Sequence, residues 1–175
     1  QKILHQNPRY GESSMLYGEL VADIMRGIGG QTLSDYGAGK QKLLEALKAI
    51  GAAPKEYFAY DPVFPEYGPA RSADLVCCID VLEHIEIEYL DSVLDHLKEL
   101  INNFGFFAIH TKPAQKVLSD GRNAHLIQAP PSWWLQRIAT RLEILQMEPT
   151  EVGFWLIVSE KTEEAVIAHS KSNDD

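Results

Sequence analysis

Two groups of residues in this chain have the types and spacing that chemistry needs. The first is Leu33-Ser34-Asp35-Tyr36-Gly37-Ala38-Gly39-Lys40-Gln41, with Asp61 further on. Glycines in a strand-to-helix turn let the backbone bend sharply and approach a ligand with no Cβ in the way. An acid that closes the following strand accepts hydrogen bonds from both hydroxyls of a ribose. A turn of purely structural origin selects the same glycines, so taken alone this group leaves both readings open. The second group is Asp80, Glu83 and His84, joined by His125 from a later loop. Two carboxylates and two imidazoles suit a divalent ion such as Mg²⁺, Mn²⁺, Fe²⁺ or Zn²⁺. The alternative is an acid and an imidazole that only bound a pocket or cap a helix. His110 ends an apolar run; its pKa near working pH suits a general base, and a hydrogen-bonded wall is the plainer role.

The elements that must position these residues follow from hydrophobic period. Met15, Leu16, Leu20, Ile24 and Ile28 predict a helix over Ser14–Gly27 that ends at Gly29-Gly30. Strands are expected at Thr32–Tyr36, Glu56–Tyr60, Ala73–Asp80 and Phe104–Ile109, the last two buried because their apolar runs are continuous. Helices fit Lys40–Ile50, capped by Gly51, and the segment bearing Leu90, Val93, Leu94, Leu97 and Ile101. A short helix over Ser132–Thr140 and strands Leu142–Met147 and Phe154–Ser159 close the chain. This alternation predicts an α/β fold: a Rossmann-like, mostly parallel sheet with helices on both faces and an antiparallel last strand. A single domain over residues 1–160 is expected, with a charged tail over 161–175. In such sheets ligands bind outside the carboxyl ends of the strands, where both groups of residues fall.

Composition narrows the classes. The 175 residues carry a net charge of −9, which weighs against duplex nucleic acid as a partner. No apolar run reaches the ~18–20 residues of a membrane span, and no basic-then-apolar leader is read at the start. The only cysteines, Cys77 and Cys78, are adjacent inside an apolar run, which excludes a disulfide framework and fits a reducing, cytoplasmic setting. Lys112, Lys116 and Arg122 gather positive charge that suits an anionic substrate, or simply a solvated loop. Trp133 and Trp134 could stack on a base or sugar, although helical spacing puts at least one in the core.

The glycine turn fits neither a dinucleotide fingerprint, since Lys42 stands where the third glycine is required, nor a P-loop. It resembles motif I of class I S-adenosylmethionine-dependent methyltransferases, D-x-G-x-G-x-G, with Gln41 in place of the last glycine. The segment Ala73-Asp74-Leu75-Val76-Cys77-Cys78-Ile79-Asp80-Val81-Leu82-Glu83-His84-Ile85 is similar to a later segment of the same superfamily. More closely, Arg9-Tyr10-Gly11, Tyr60-Asp61-Pro62, Asp120–Leu126 and Trp133-Trp134 resemble a group of phage and bacterial methyltransferase-like proteins. The D-x-x-E-H…H layout is similar to the metal site of small-RNA 3′-end 2′-O-methyltransferases and to ubiquinone-pathway O-methyltransferases. The resemblance implies S-adenosylmethionine as cofactor. Gly37 and Gly39 would face its methionine part, Asp35 its amino group, Asp61 its ribose and Val63 its adenine, with Asp80 counted in the same set. Asp80, Glu83, His84 and His125 would hold a metal, and His84 and His110 would act on the acceptor, a small molecule or a nucleotide. The expected reaction is methyl transfer to oxygen before nitrogen. RNA 2′-O-methylation and an inactive binding module are the alternatives, and the oligomeric state is left open. The twelve residues between Asp61 and Asp74 are too few for a crossover at ~1.5 Å per helical and ~3.3 Å per strand residue. The edge strand usually third in order is therefore expected to be lost, leaving six.

Overall fold

A computed structural model describes residues 13–161. Arg9-Tyr10-Gly11 and the tail beyond residue 161 lie outside the described residues. Element order is α1 (Ser13–Leu16), α2 (Gly18–Ile28), β1 (Thr32–Tyr36), α3 (Lys42–Ala49), β2 (Glu56–Tyr60), β3 (Ala73–Ile79), α4 (Ile87–Leu100), β4 (Ile101–His110), α5 (Pro131–Ala139), β5 (Leu142–Pro149) and β6 (Gly153–Glu160). Six strands form one sheet in the order β2-β1-β3-β4-β6-β5. The first four are parallel, and β6 runs antiparallel to both β4 and β5. The missing third strand is replaced by a 3₁₀ turn at Pro65–Tyr67.

Each face of the sheet buries its own core. Leu33, Leu75, Cys77 and Phe106 point toward Val21 and Met25 of α2 and Leu43 and Leu47 of α3. Val76, Cys78, Phe107 and Ile109 point toward Leu90, Leu94 and Leu97 of α4 and Trp134 and Ile138 of α5. Side chains alternate across a strand, so one parallel sheet covered on both faces needs apolar residues at nearly every position. The run ADLVCCI of β3 meets that demand.

Three expectations need correction. The single N-terminal helix is two, broken at Tyr17 (φ −96°, ψ 0°). The buried face of α2 is Val21, Ala22 and Met25, whereas Met15 and Leu16 are exposed, so the stripe read from the sequence is displaced around the helix. Ile101 belongs to β4, not to the inner face of α4. Strand follows helix without a loop there, and a register shift between Ala73 and Leu75 accommodates the join. Gly29 ends α2 in the left-handed region (φ 63°), its amide donating to the Arg26 carbonyl. None of the described helices is long and apolar enough to cross a membrane.

Candidate active site

The carboxyl ends of β1, β2 and β3 lie side by side, and the glycine turn leaves β1 there. Gly37 takes φ 83°, and its amide and that of Ala38 donate to the Tyr60 carbonyl at 2.7 and 2.9 Å. A Cβ on Gly37 would stand 2.3 Å from Val81 Cγ2, so packing as well as conformation demands glycine. Gly39 (φ 50°) and Gln41 (φ 57°) are also left-handed. Gln41 precedes α3 and makes no side-chain cap. That torsion explains why a glycine is usual at this position of the motif: a Cβ there costs roughly 1–2 kcal/mol.

Asp61 is buried with its carboxylate turned to the glycine turn. Oδ2 accepts from the Gly39 amide at 2.9 Å and Oδ1 from the Val63 amide at 2.8 Å. The chain then folds back: the Tyr67 hydroxyl donates to the Gly39 carbonyl at 2.9 Å, and the Phe64 and Tyr67 rings stack with centroids 5.3 Å apart. Asp35 lies beneath the turn, buried, and accepts from the Tyr57 hydroxyl. Burial pushes the Asp35 carboxyl up to about 6; the Tyr57 bond opposes this and the Asp61 charge adds to it.

The second half of the site begins where β3 ends. Asp80 sits in the left-handed region (φ 54°), its amide donating to the Ala108 carbonyl at 3.0 Å. Asp tolerates that conformation better than most residues, and such torsions cluster at ligand sites. Leu82–His84 forms a 3₁₀ turn separate from α4. Glu83 is fully buried on it. Its Oε1 accepts from the His110 amide at 3.0 Å, while its buried Oε2 has no hydrogen-bond partner among the described residues. Burial, then the charge of Asp80, raise the Glu83 pKa well above the usual carboxylate range.

His125 donates through Nδ1 to the Lys112 carbonyl at 2.6 Å, and burial pushes its pKa down. The basic lone pair of its neutral ring is then on Nε2. His84 donates through Nδ1 to the Ala124 carbonyl at 2.7 Å, and its ring meets the His125 ring edge-on, centroids 4.8 Å apart. The His110 ring is 5.4 Å from that of His125, with Nε2 3.3 Å from Asp80 Oδ1.

One ligand atom from each of Glu83, His110 and His125 falls within 4.8 Å of the others. Of the four residues expected to hold a metal, the structure thus gathers Glu83 and His125. It adds His110, sets Asp80 beside His110, and leaves His84 outside the group.

Several residues were not legible as part of the site. Tyr17, at the helix break, packs edge-on to Phe106 (5.4 Å). Its hydroxyl is pushed up to about 12, by burial first and then by the charges of Asp80 and Glu83. Tyr57 and Tyr67 fasten the glycine turn. A helix break and two isolated tyrosines leave no motif to read. Arg122, by contrast, is engaged by Glu86 and Asp120 (both 2.8 Å), which removes it from the expected anion patch. Trp134 is wholly core, and the Arg137 guanidinium lies 4.5 Å over the Trp133 ring.

The six-stranded sheet, with its glycine turn and acids at the carboxyl edge, is a Rossmann-like methyltransferase fold with the third strand missing. The family described as "Methyltransferase domain" matches residues 17–148, and the chain belongs to it. Solved structures share the fold at low identity. TnmH aligns at TM-score 0.59 and 15% identity over 85% of this chain and 55% of its own. Mitomycin 7-O-methyltransferase MmcR gives 0.61 and 13% over 85% and 54%. The Burkholderia thailandensis 1,6-didemethyltoxoflavin-N1-methyltransferase, solved with bound 1,6-didemethyltoxoflavin and S-adenosylhomocysteine, gives 0.60 and 11% over 87% and 80%. The chain spans about half the length of the first two. No curated protein sequence matches it.

Proposed function

We propose that this chain binds S-adenosylmethionine at the carboxyl edge of β1, β2 and β3 and transfers its methyl group to an oxygen of a small-molecule acceptor, with a divalent ion assisting. The observation that carries the reading is the Asp61 carboxylate held by the Gly39 and Val63 amides. Each of its oxygens keeps a further acceptor site for a ribose hydroxyl. Asp35, Asp61 and Asp80 at neighbouring strand ends make the edge acidic, which favours a cationic cofactor. In this reading Gly37 and Gly39 face the methionine part, Asp35 stays beneath the turn and acts on the amino group indirectly, Val63 lies against adenine, and Asp80 borders the methyl-bearing side.

His84 is the base of this reading. Its Nδ1 proton is committed to Ala124, so Nε2 receives the acceptor's hydroxyl proton. The oxygen forms a bond to the methyl carbon as the sulfur–methyl bond breaks; methyl ether and S-adenosylhomocysteine leave, and the imidazolium returns its proton to water. Charge is lost in the transition state, so the protein's work is alignment and exclusion of water. A bound divalent ion would favour the alkoxide of the acceptor, which is why oxygen is preferred to nitrogen.

A terminal nucleotide hydroxyl is a second reading, supported by the acid–imidazole set alone. The buried free thiols of Cys77 and Cys78 support a cytoplasmic setting. The test is incubation with methyl-labelled cofactor and a panel of phenols, catechols, hydroxy acids and nucleosides. Label on a hydroxyl, lost in Asp61→Ala and His84→Ala, supports the reading; label on an amine, or none despite cofactor binding, contradicts it.

A further inference from the structure

We infer that Glu83, His110 and His125 are the protein ligands of a first-row divalent transition ion, Mn²⁺, Fe²⁺ or Zn²⁺ in preference to Mg²⁺. The inference deepens the proposed function and rests on its claim that an ion stands beside the acceptor. It differs from the layout read from the sequence, in which His84 and Asp80 were ligands and His110 was not.

Four observations converge on these three residues. Their ligand atoms lie within 4.8 Å of one another. Glu83 Oε2 is buried and has no partner among the described residues, a costly arrangement for a carboxylate unless a cation completes it. His125 gives its Nδ1 proton to the Lys112 carbonyl, the outer contact by which ligating histidines are commonly oriented. Behind His110, Asp80 Oδ1 lies 3.3 Å from Nε2, and Glu83 Oε1 is held by the His110 amide. The three residues come from separate segments: the turn after β3, the end of β4, and the loop before α5. Their convergence therefore does not follow from sequence adjacency, and His110, with its side chain 25% exposed, gives the group access to solvent.

The donor set decides the ion. Two neutral imidazoles and one carboxylate suit Mn²⁺, Fe²⁺ or Zn²⁺, whereas Mg²⁺ prefers an all-oxygen shell and keeps its waters. Three protein ligands leave at least one position for an acceptor oxygen. His84 keeps its role as the base of the proposed function.

The test uses the full chain, purified without a histidine tag, stripped with a chelator and titrated calorimetrically with Zn²⁺, Mn²⁺ and Mg²⁺. Co²⁺ is added separately to read visible absorption. One Zn²⁺ or Mn²⁺ is expected to bind per chain, more tightly than Mg²⁺, with Co²⁺ bands typical of mixed nitrogen–oxygen ligation. Glu83→Gln, His110→Gln and His125→Gln should each weaken binding about 10–100-fold or more, as is typical for damaged metal sites. His84→Gln should leave ion affinity within about threefold. Absence of transition-ion binding by the unaltered chain overturns the inference. So does loss of binding in His84→Gln with retention in His110→Gln. The Co²⁺ spectrum needs no variant, so a misfolded variant does not leave the question open. S-adenosylhomocysteine binding is measured in parallel. Cofactor without ion overturns the ligand assignment and the ion's part in the proposed function while leaving cofactor binding standing; ion without cofactor overturns the proposed methyl transfer while leaving the ligand assignment standing.

Discussion

The two halves of the site are built on opposite terms. Around the glycine turn, polar groups are closed on one another: Asp61 with the Gly39 and Val63 amides, Tyr67 with the Gly39 carbonyl, Tyr57 with Asp35. Around Glu83, a buried carboxylate oxygen is left without a partner beside two imidazoles. The first half is held by hydrogen bonds that tie β1 and the turn after it to the side chains of β2 and the segment after it. The second gathers side chains from three separate segments and carries a buried acid whose cost a cation would offset. One half is shaped by the fold; the other is what the proposed ion would complete.

The contrast can be broken at the glycine turn first. Gly37→Ala combines a φ of 83° with a Cβ 2.3 Å from Val81. It should destabilise the domain by about 3 kcal/mol or more, read as a lower midpoint in urea. A loss under about 1 kcal/mol would mean that Val81 moves aside and the turn is softer than described.

Asp35→Asn probes the acid beneath the turn. Its folded pKa is raised from 3.8 to about 6, so the stability it contributes is full below pH 3.8 and is lost as pH rises through 6. At pH 7 the asparagine variant should be more stable by up to about 3 kcal/mol, and below pH 3.8 the gain should vanish. Equal gains at both pH values would show that the effect is not one of charge.

Gln41→Gly removes a Cβ from the left-handed region and should stabilise by about 1 kcal/mol in the same denaturation measurement. A destabilised variant would show that the glutamine side chain holds the turn. The smallest effect is expected at Arg122→Ala: its pairs with Glu86 and Asp120 are solvent-exposed and screened, so the urea midpoint should stay where it is; a clear drop would show that the pairs hold the loop.

The strands β1 and β2 were legible to the residue because both are short segments bounded by glycine, proline or charge. The lost third strand was legible because twelve residues cannot span a crossover. The face of α2 was not. Tyr17 breaks the helix, and the apolar residues before the break do not share the stripe of those after it. Within the site, Asp61 and the glycines could be placed from local order alone. The partnership of His110 with Glu83 and His125 could not, because it depends on how the loop between β4 and α5 returns to the sheet edge. A separation of 42 residues between Glu83 and His125 carries no local signal.

In the proposed function the carboxylate after β2 and the turn after β1 form one cofactor cradle. Calorimetric titration of S-adenosylhomocysteine into the full chain tests this most directly, with Asp61→Ala alongside. One molecule should bind per chain, with affinity lower by about tenfold or more in the variant, the expected cost of a charge-assisted hydrogen bond. No heat at millimolar ligand, or equal affinity in the variant, would contradict that cradle.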